Sequence, residues 1–175
     1  MREDAAEAPP AAGRSGLIEP FWLAYQRACG VTVEGFAATS LGATRAVSDG
    51  LAELVLGGVK RAHATLRGDF EKELDPLPQP GDHLVVLDGA GCPQAIVRTT
   101  HVELRHFRDI DDAFAFDAGE DDLSLHWWLT AHRQDFAERA EREGFEMDET
   151  AVLVLEYFER VWPLSGDAAV VSGRD

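Results

Sequence analysis

Residues His83 to Leu87 (HLVVL), the turn Asp88-Gly89-Ala90-Gly91 and the alternating run Gln94 to Arg105 constrain the fold more than any other stretch of the chain. An Asp-Gly pair between two apolar runs is a hairpin signal, so the two runs are expected to pair antiparallel. In the second run Ala95, Val97, Thr99 and His101 alternate against Ile96, Arg98, Thr100 and Val102, which assigns them to opposite faces. A third run, Thr150 to Trp162, alternates Val152, Val154, Glu156, Phe158 and Arg160 against Leu153, Leu155, Tyr157, Glu159 and Val161. Its apolar content predicts a central strand, which is expected to close the sheet into a barrel.

Helical spacing fills the intervals. Leu17, Phe21, Trp22, Tyr25 and Cys29 recur at three and four residues and stop at Gly30, so the aromatic stripe is read as core. Ala43 to Leu56 has the same rhythm, with Ala46, Leu51, Leu54 and Val55 on one face, Arg45, Ser48, Asp49 and Glu53 toward solvent, and Thr39 or Ser40 as its lead-in. Asp109 to Phe116 is a short helix, Asp117 to Asp122 a solvated acidic loop, and Leu123 to Gly144 the longest helix. Val31 to Thr39 is read as a connection with Phe36 tucked inward, and the proline-rich stretch Arg67 to Pro80 as a loop. Strands mixed with helices in this way make the class α+β.

Hydrophobic content of 45% over 175 residues is enough for one good core. One domain over residues 16–164 is expected, between a disordered arm, residues 1–15, and a flexible tail, residues 165–175. A net charge of −16 argues against binding duplex DNA through a broadly basic surface. Cys29 and Cys92 form no CxxC pair, and the acidic and histidine residues show no ligand spacing, so no metal and no cofactor are expected. A reducing cytoplasmic setting without a membrane span fits this composition.

The chemistry is sought in Glu53 to Leu66, ELVLGGVKRAHATL, where a helix stops at Gly57-Gly58 and a strand begins. Lys60 follows that stop and is one of only two lysines beside fourteen arginines. As a cation at a helix C-terminus it would contribute roughly 0.3–1 kcal/mol and need no function. In a cleft it would bind phosphate or, once desolvated, act as base or nucleophile. His63, three residues on, could titrate near neutrality. Arg98 in mid-strand must find an anion or water, either a phosphate or a surface carboxylate. Ser124 reads as an N-cap, and Trp128 and His132 lie one turn apart on one helix face.

ELVLGGVKRAHATL, LPQPGDHLVVLDGAGCPQAIVRTTHVEL and FDAGEDDLSLHWWLTAHRQDF, in this order, resemble the larger ASCH-domain proteins of the PUA-like superfamily. The resemblance spans roughly Val33 to Pro163. It implies a small mixed PUA-like β-barrel with flanking helices, and a cleft for RNA, nucleotides or modified nucleosides. Some relatives are ribonucleases. The smallest are amidohydrolases of acylated cytidine that use a lysine, a threonine three residues later and a distant glutamate. Lys60 matches that lysine, His63 stands at the threonine, and Ala118 falls at the glutamate with Glu120 nearby.

Three functions are open on this reading. In a binding module for single-stranded RNA or a nucleotide, Lys60, Arg61 and Arg98 would meet phosphate while Trp127 or Trp128, with His132, lines the base. In a metal-independent ribonuclease, Lys60, His63, Glu120 and Ser124 would carry the chemistry. The third reading is an amidohydrolase of a nucleoside such as N4-acetylcytidine. A non-catalytic module for another small molecule is the bland version of the first. Binding or nuclease action is favoured over deacylation because two of the three implied roles are not matched, and the oligomeric state is not legible.

Overall fold

The computed structural model describes residues 15–33 and 35–164. The expected tail and nearly all of the expected arm lie outside these residues. The elements are α1 (Ser15–Cys29), β1 (Ala37–Ser40), α2 (Arg45–Leu56), β2 (Ala62–Leu66), α3 (Arg67–Glu73), β3 (His83–Leu87), β4 (Pro93–His106), a 3-10 turn at Phe107–Asp109, α4 (Asp112–Ala118), α5 (Leu125–Glu143) and β5 (Val152–Trp162). The strands hydrogen-bond in the order β1-β3-β4-β5-β2, with β1 parallel to β3 and the β3–β4 and β2–β5 pairs antiparallel. The run at 150–162 is therefore an inner strand, as its apolar content predicts, but not the closing one. The ends of the strand order are β1 and β2.

Two compact units divide the chain, and β4 and β5 are long enough to contribute to both. Among the described residues the first takes those up to Gly58, Gly81–Arg98 and those from Glu159. In it Trp22 and Tyr25 of α1 are buried with Val85 and Ile96, at roughly 1.5–3 kcal/mol for each fully buried large side chain. Leu17 and Cys29 of the same stripe are exposed. Phe36 stacks on Trp22 with ring centroids 4.7 Å apart. β1 takes up the end of the stretch read as a connection and runs one residue past it. Four small, mostly exposed residues (AATS) paired parallel to β3 carry no apolar period to announce a strand.

The N-cap of α2 is Thr44, whose side chain accepts from the Val47 amide, rather than Thr39 or Ser40. Ser48, read as solvent-facing, is fully buried and donates to the Gly42 carbonyl at 3.1 Å. Asp49 accepts from the Gly89 amide at 2.8 Å. Gly89 is obligatory in the hairpin turn, since a Cβ there would stand 2.2 Å from the Arg45 carbonyl oxygen.

The second unit comprises Val59–Pro80 and Thr99–Phe158. β2 pairs with β5 from Ala62↔Tyr157 to Leu66↔Leu153. Ala62, Ala64 and Leu66 alternate into a core that holds Phe107, Phe114, Trp128, Phe136, Leu153 and Leu155. The expected loop at 67–80 begins instead as α3. Its seven residues (RGDFEKE) contain a single apolar side chain, so no helical period is visible. Arg139 of α5 holds the helix in place through a paired contact with Asp69, while also bonding Glu143 one turn along.

Candidate active site

Lys60 sits between the glycines that end α2 and the first residue of β2, and it is 1% exposed. A buried ammonium without partners would be very costly. Its Nζ donates to the Ala118 carbonyl at 3.1 Å and to Glu120 Oε1 at 2.7 Å. The residue is therefore neither a surface helix-end charge nor a free phosphate contact. Burial pushes its pKa down, opposed by the attraction and hydrogen bond of Glu120.

The end of α4 delivers both acceptors. Asp111 caps α4 by accepting from the Phe114 amide, and Gly119 ends it in the left-handed region at φ 72°. The Ala118 carbonyl is thereby freed at the helix terminus and the chain turns back toward Lys60. A second tie runs alongside, with the Arg61 amide donating to the Asp117 carbonyl at 2.7 Å and the Arg61 guanidinium to Asp117 Oδ1 at 2.7 Å. The stretch read as a solvated acidic loop thus contributes Asp117 and Ala118 to a helix and turns Glu120 inward, its side chain 11% exposed.

α5 supplies the remaining wall. Ser124 is its N-cap, accepting from the Trp127 amide at 3.1 Å, so its hydroxyl holds the helix start rather than a substrate. Trp128 is 1% exposed and stacks on His132 at a centroid distance of 3.9 Å, with Phe114 edge-on. That burial corrects the expectation of a base-stacking ring. Trp127 is partly buried against the same core. His132 Nδ1 donates to the Trp128 carbonyl at 2.9 Å, and its Nε2 lies 3.6 Å from Glu120 Oε2. Burial, Lys60 and His132 together hold the half-buried His63 well below the usual imidazole range. Burial likewise lowers His132, while Glu120 opposes the shift.

Lys60, His63, Glu120 and His132 thus form one cluster in the second unit. Arg61 is tied to Asp117 and lies over the exposed Phe116 ring. Arg98 belongs to the first unit, where Glu159 pairs with it, the carboxylate alternative of the two readings. No group of His, Cys, Asp or Glu suited to a metal ion exists among the described residues, and no described helix is long and apolar enough to cross a membrane. The residues that sequence reasoning missed are Ala118, through its carbonyl, and Gly119. A glycine just after the helical stretch DAFAFDA at 112–118 is the available signal, as a helix C-terminal stop.

The family model for the ASCH domain matches residues 37–162. The chain belongs to the ASCH family. This ASCH domain is 30% identical to the ASCH domain of Lactobacillus crispatus JV V101, whose crystal structure superimposes with a TM-score of 0.77 over 86% of this chain and 98% of that one. A crystal structure of an Enterococcus faecalis V583 protein, 26% identical, gives a TM-score of 0.74 over 83% and 93% of the two chains. No curated protein matches. The fold of this ASCH domain is accordingly the PUA-like α+β arrangement, a mixed sheet with flanking helices.

Proposed function

We propose that this ASCH domain is a small-molecule amidohydrolase acting on an N-acylated nucleoside, with N4-acetylcytidine as the representative substrate. The observation that carries the reading is the 2.7 Å contact between Lys60 Nζ and Glu120 Oε1 at a sealed position. A carboxylate that looked displaced at Ala118 is supplied two residues later, so two of the three groups implied for such hydrolases meet. A phosphodiester reading loses support on the same ground. The lysine charge is already compensated, Arg61 and Arg98 are paired, and the chain carries a net charge of −16.

The chemistry needs one proton taken and one returned. His63, kept neutral by burial and by Lys60, accepts a proton from water as the water oxygen attacks the acyl carbon. The carbon–nitrogen bond then breaks, the Lys60–Glu120 pair returns a proton to the departing amine nitrogen, and a carboxylate and the free nucleoside leave. His63 in place of threonine makes water the nucleophile, with no covalent acyl-enzyme. The association of ASCH domains with RNA is consistent with a nucleoside as the substrate class.

The test is release of acetate and cytidine from N4-acetylcytidine by the full chain. Glu120→Gln and His63→Ala are each expected to lower kcat by about 10²–10⁴, the range for losing one acid–base group. Absence of release, with cleavage of single-stranded RNA instead, would replace this reading with the nuclease.

A further inference from the structure

Helix α3 borders two hollows of the second unit. One, of about 350 Å³, has an apolar floor of Leu66, Phe145, Met147, Ala151 and Val152 at the edge of the core. The other, of about 390 Å³, is bordered by Phe70, Leu74 and Leu77. Arg67 and Glu71 belong to both, pairing at 3.0 Å one helical turn apart with side chains 48% and 64% exposed. β2 carries the chain about 13 Å from Ala62 to Leu66, so the hollows lie at the end of that strand away from Lys60. Leu74 is the anomaly on this face. It is 90% exposed and stands at the C-cap of α3 with φ 56°. Glycine is the usual residue in that left-handed position, because a side chain strains it. A bare, strained leucine beside an apolar hollow marks an interaction surface, a knob next to a hole.

We infer that the α3 face is a self-association surface, on which two copies of this chain pair by each setting Leu74 into the 350 Å³ hollow of the other. The surface is independent of the amidohydrolase reading and of its substrate. Three features select a second copy as the partner. Knob and hole share one face and lie on opposite sides of the Arg67–Glu71 pair, since both hollows include the pair and Leu74 borders only the second. A two-fold axis through the pair therefore brings Leu74 of each copy over the hollow of the other, as an isologous interface requires. The pair also holds one charge of each sign, so the same rotation sets Arg67 of one copy against Glu71 of the other. The rim of the hollow mixes Arg67 and Lys72 with Asp69, Glu71 and Glu146. It thus presents both signs, where most of the surface of a chain of net charge −16 repels its own copy. With one knob from each copy the interface is small and of the transient class.

Sedimentation velocity of the full chain from about 1 µM to about 1 mM, a span that covers transient interfaces, reads the monomer–dimer equilibrium. Wild type is expected to dimerise within that span, and more tightly as added salt screens the repulsion between the two acidic bodies. Leu74→Gly removes the knob and suits the left-handed backbone, so the variant should melt close to wild type. Its dimerisation should weaken at least about a hundredfold, tenfold for each of two leucines no longer buried. Arg67→Glu and Glu71→Arg each set like charges against one another across the axis, so either variant alone is expected to dimerise less than wild type. Mixed together they restore both opposite-sign contacts and are expected to form a dimer containing one copy of each. A wild type that stays monomeric over the whole span, or a dimer unmoved by Leu74→Gly, overturns the inference. Failure of the two charge variants to pair on mixing, with melting curves showing both folded, overturns the two-fold arrangement.

Discussion

A Cβ on Gly119 would stand 2.7 Å from the Lys60 Cα and 2.4 Å from the Val59 carbonyl oxygen. The C-terminus of α4 is therefore packed backbone to backbone against the segment that carries the lysine. Gly144 at the end of α5 is a built-in control, with φ 76° and nothing near a Cβ. Gly144→Ala should cost about 1–2 kcal/mol, for the left-handed backbone alone. Gly119→Ala should cost at least about 2 kcal/mol more, because two backbone segments must separate. Urea unfolding of the two variants measures this, and equal losses would mean that the close approach is not rigid.

Replacing Lys60 distinguishes a sealed lysine from a helix-end charge. At a solvated helix terminus Arg would substitute without loss. In the enclosed site a guanidinium is too large and brings donors without acceptors, so Lys60→Arg should destabilise by about 1–3 kcal/mol. Lys60→Met fills nearly the same volume without a charge, and is expected to melt above Lys60→Arg. The reverse order of melting temperatures would contradict the burial argument.

Acid should weaken the protein before its carboxylates titrate. Burial is the largest cause lowering the pKa of His63, of His132 and of His83 in the first unit. Below the ordinary imidazole value of 6.5 the unfolded chain binds protons that the folded chain still refuses. Stability is therefore full above that value and falls as pH drops, by at most about 1.4 kcal/mol per unit for each histidine. Glu143, held down to about 2 by Arg139 and Lys72, adds a second decline between 4.5 and about 2. Denaturant midpoints from pH 8 to pH 4 should show the first decline, and His63→Asn should flatten it.

Trp128→Ala should unfold or severely weaken the chain, by about 3–5 kcal/mol, as expected for a large buried ring. Trp127→Ala, removing a partly buried ring at the edge of the same core, should cost visibly less. Chemical denaturation of both variants checks the order. A Trp128→Ala variant of wild-type stability would reopen the base-stacking role.

What could be read in advance follows from how each element declares itself. The hairpin at 83–105, α1 and the inner strand at 152–162 carry their own apolar period, and all were legible. β1 and α3 were not, since one is four small residues placed by its neighbour β3 and the other has only Phe70 to mark a face. Lys60 stands out in the sequence by its rarity and its place after Gly57-Gly58, but its burial does not, because that depends on where a distant helix ends. Ser48 reads as polar surface for a similar reason, its partner being the carbonyl of Gly42 outside the helix. Counting residues from the family pattern put Ala118 at the carboxylate position. The left-handed turn at Gly119 brings Glu120 onto Lys60 instead, and spacing alone cannot register it.

α5 is fastened along its whole length, by the Ser124 cap at one end, by Trp128 and Phe136 in the core, and by Arg139 on Asp69 near the other. A helix held in this way has no frayed half from which to open. Its amide protons should exchange with deuterium as one block, at the rate set by unfolding of the whole second core. The stacking surface beneath His132 would then persist through every smaller fluctuation, and the imidazole would keep a single pose.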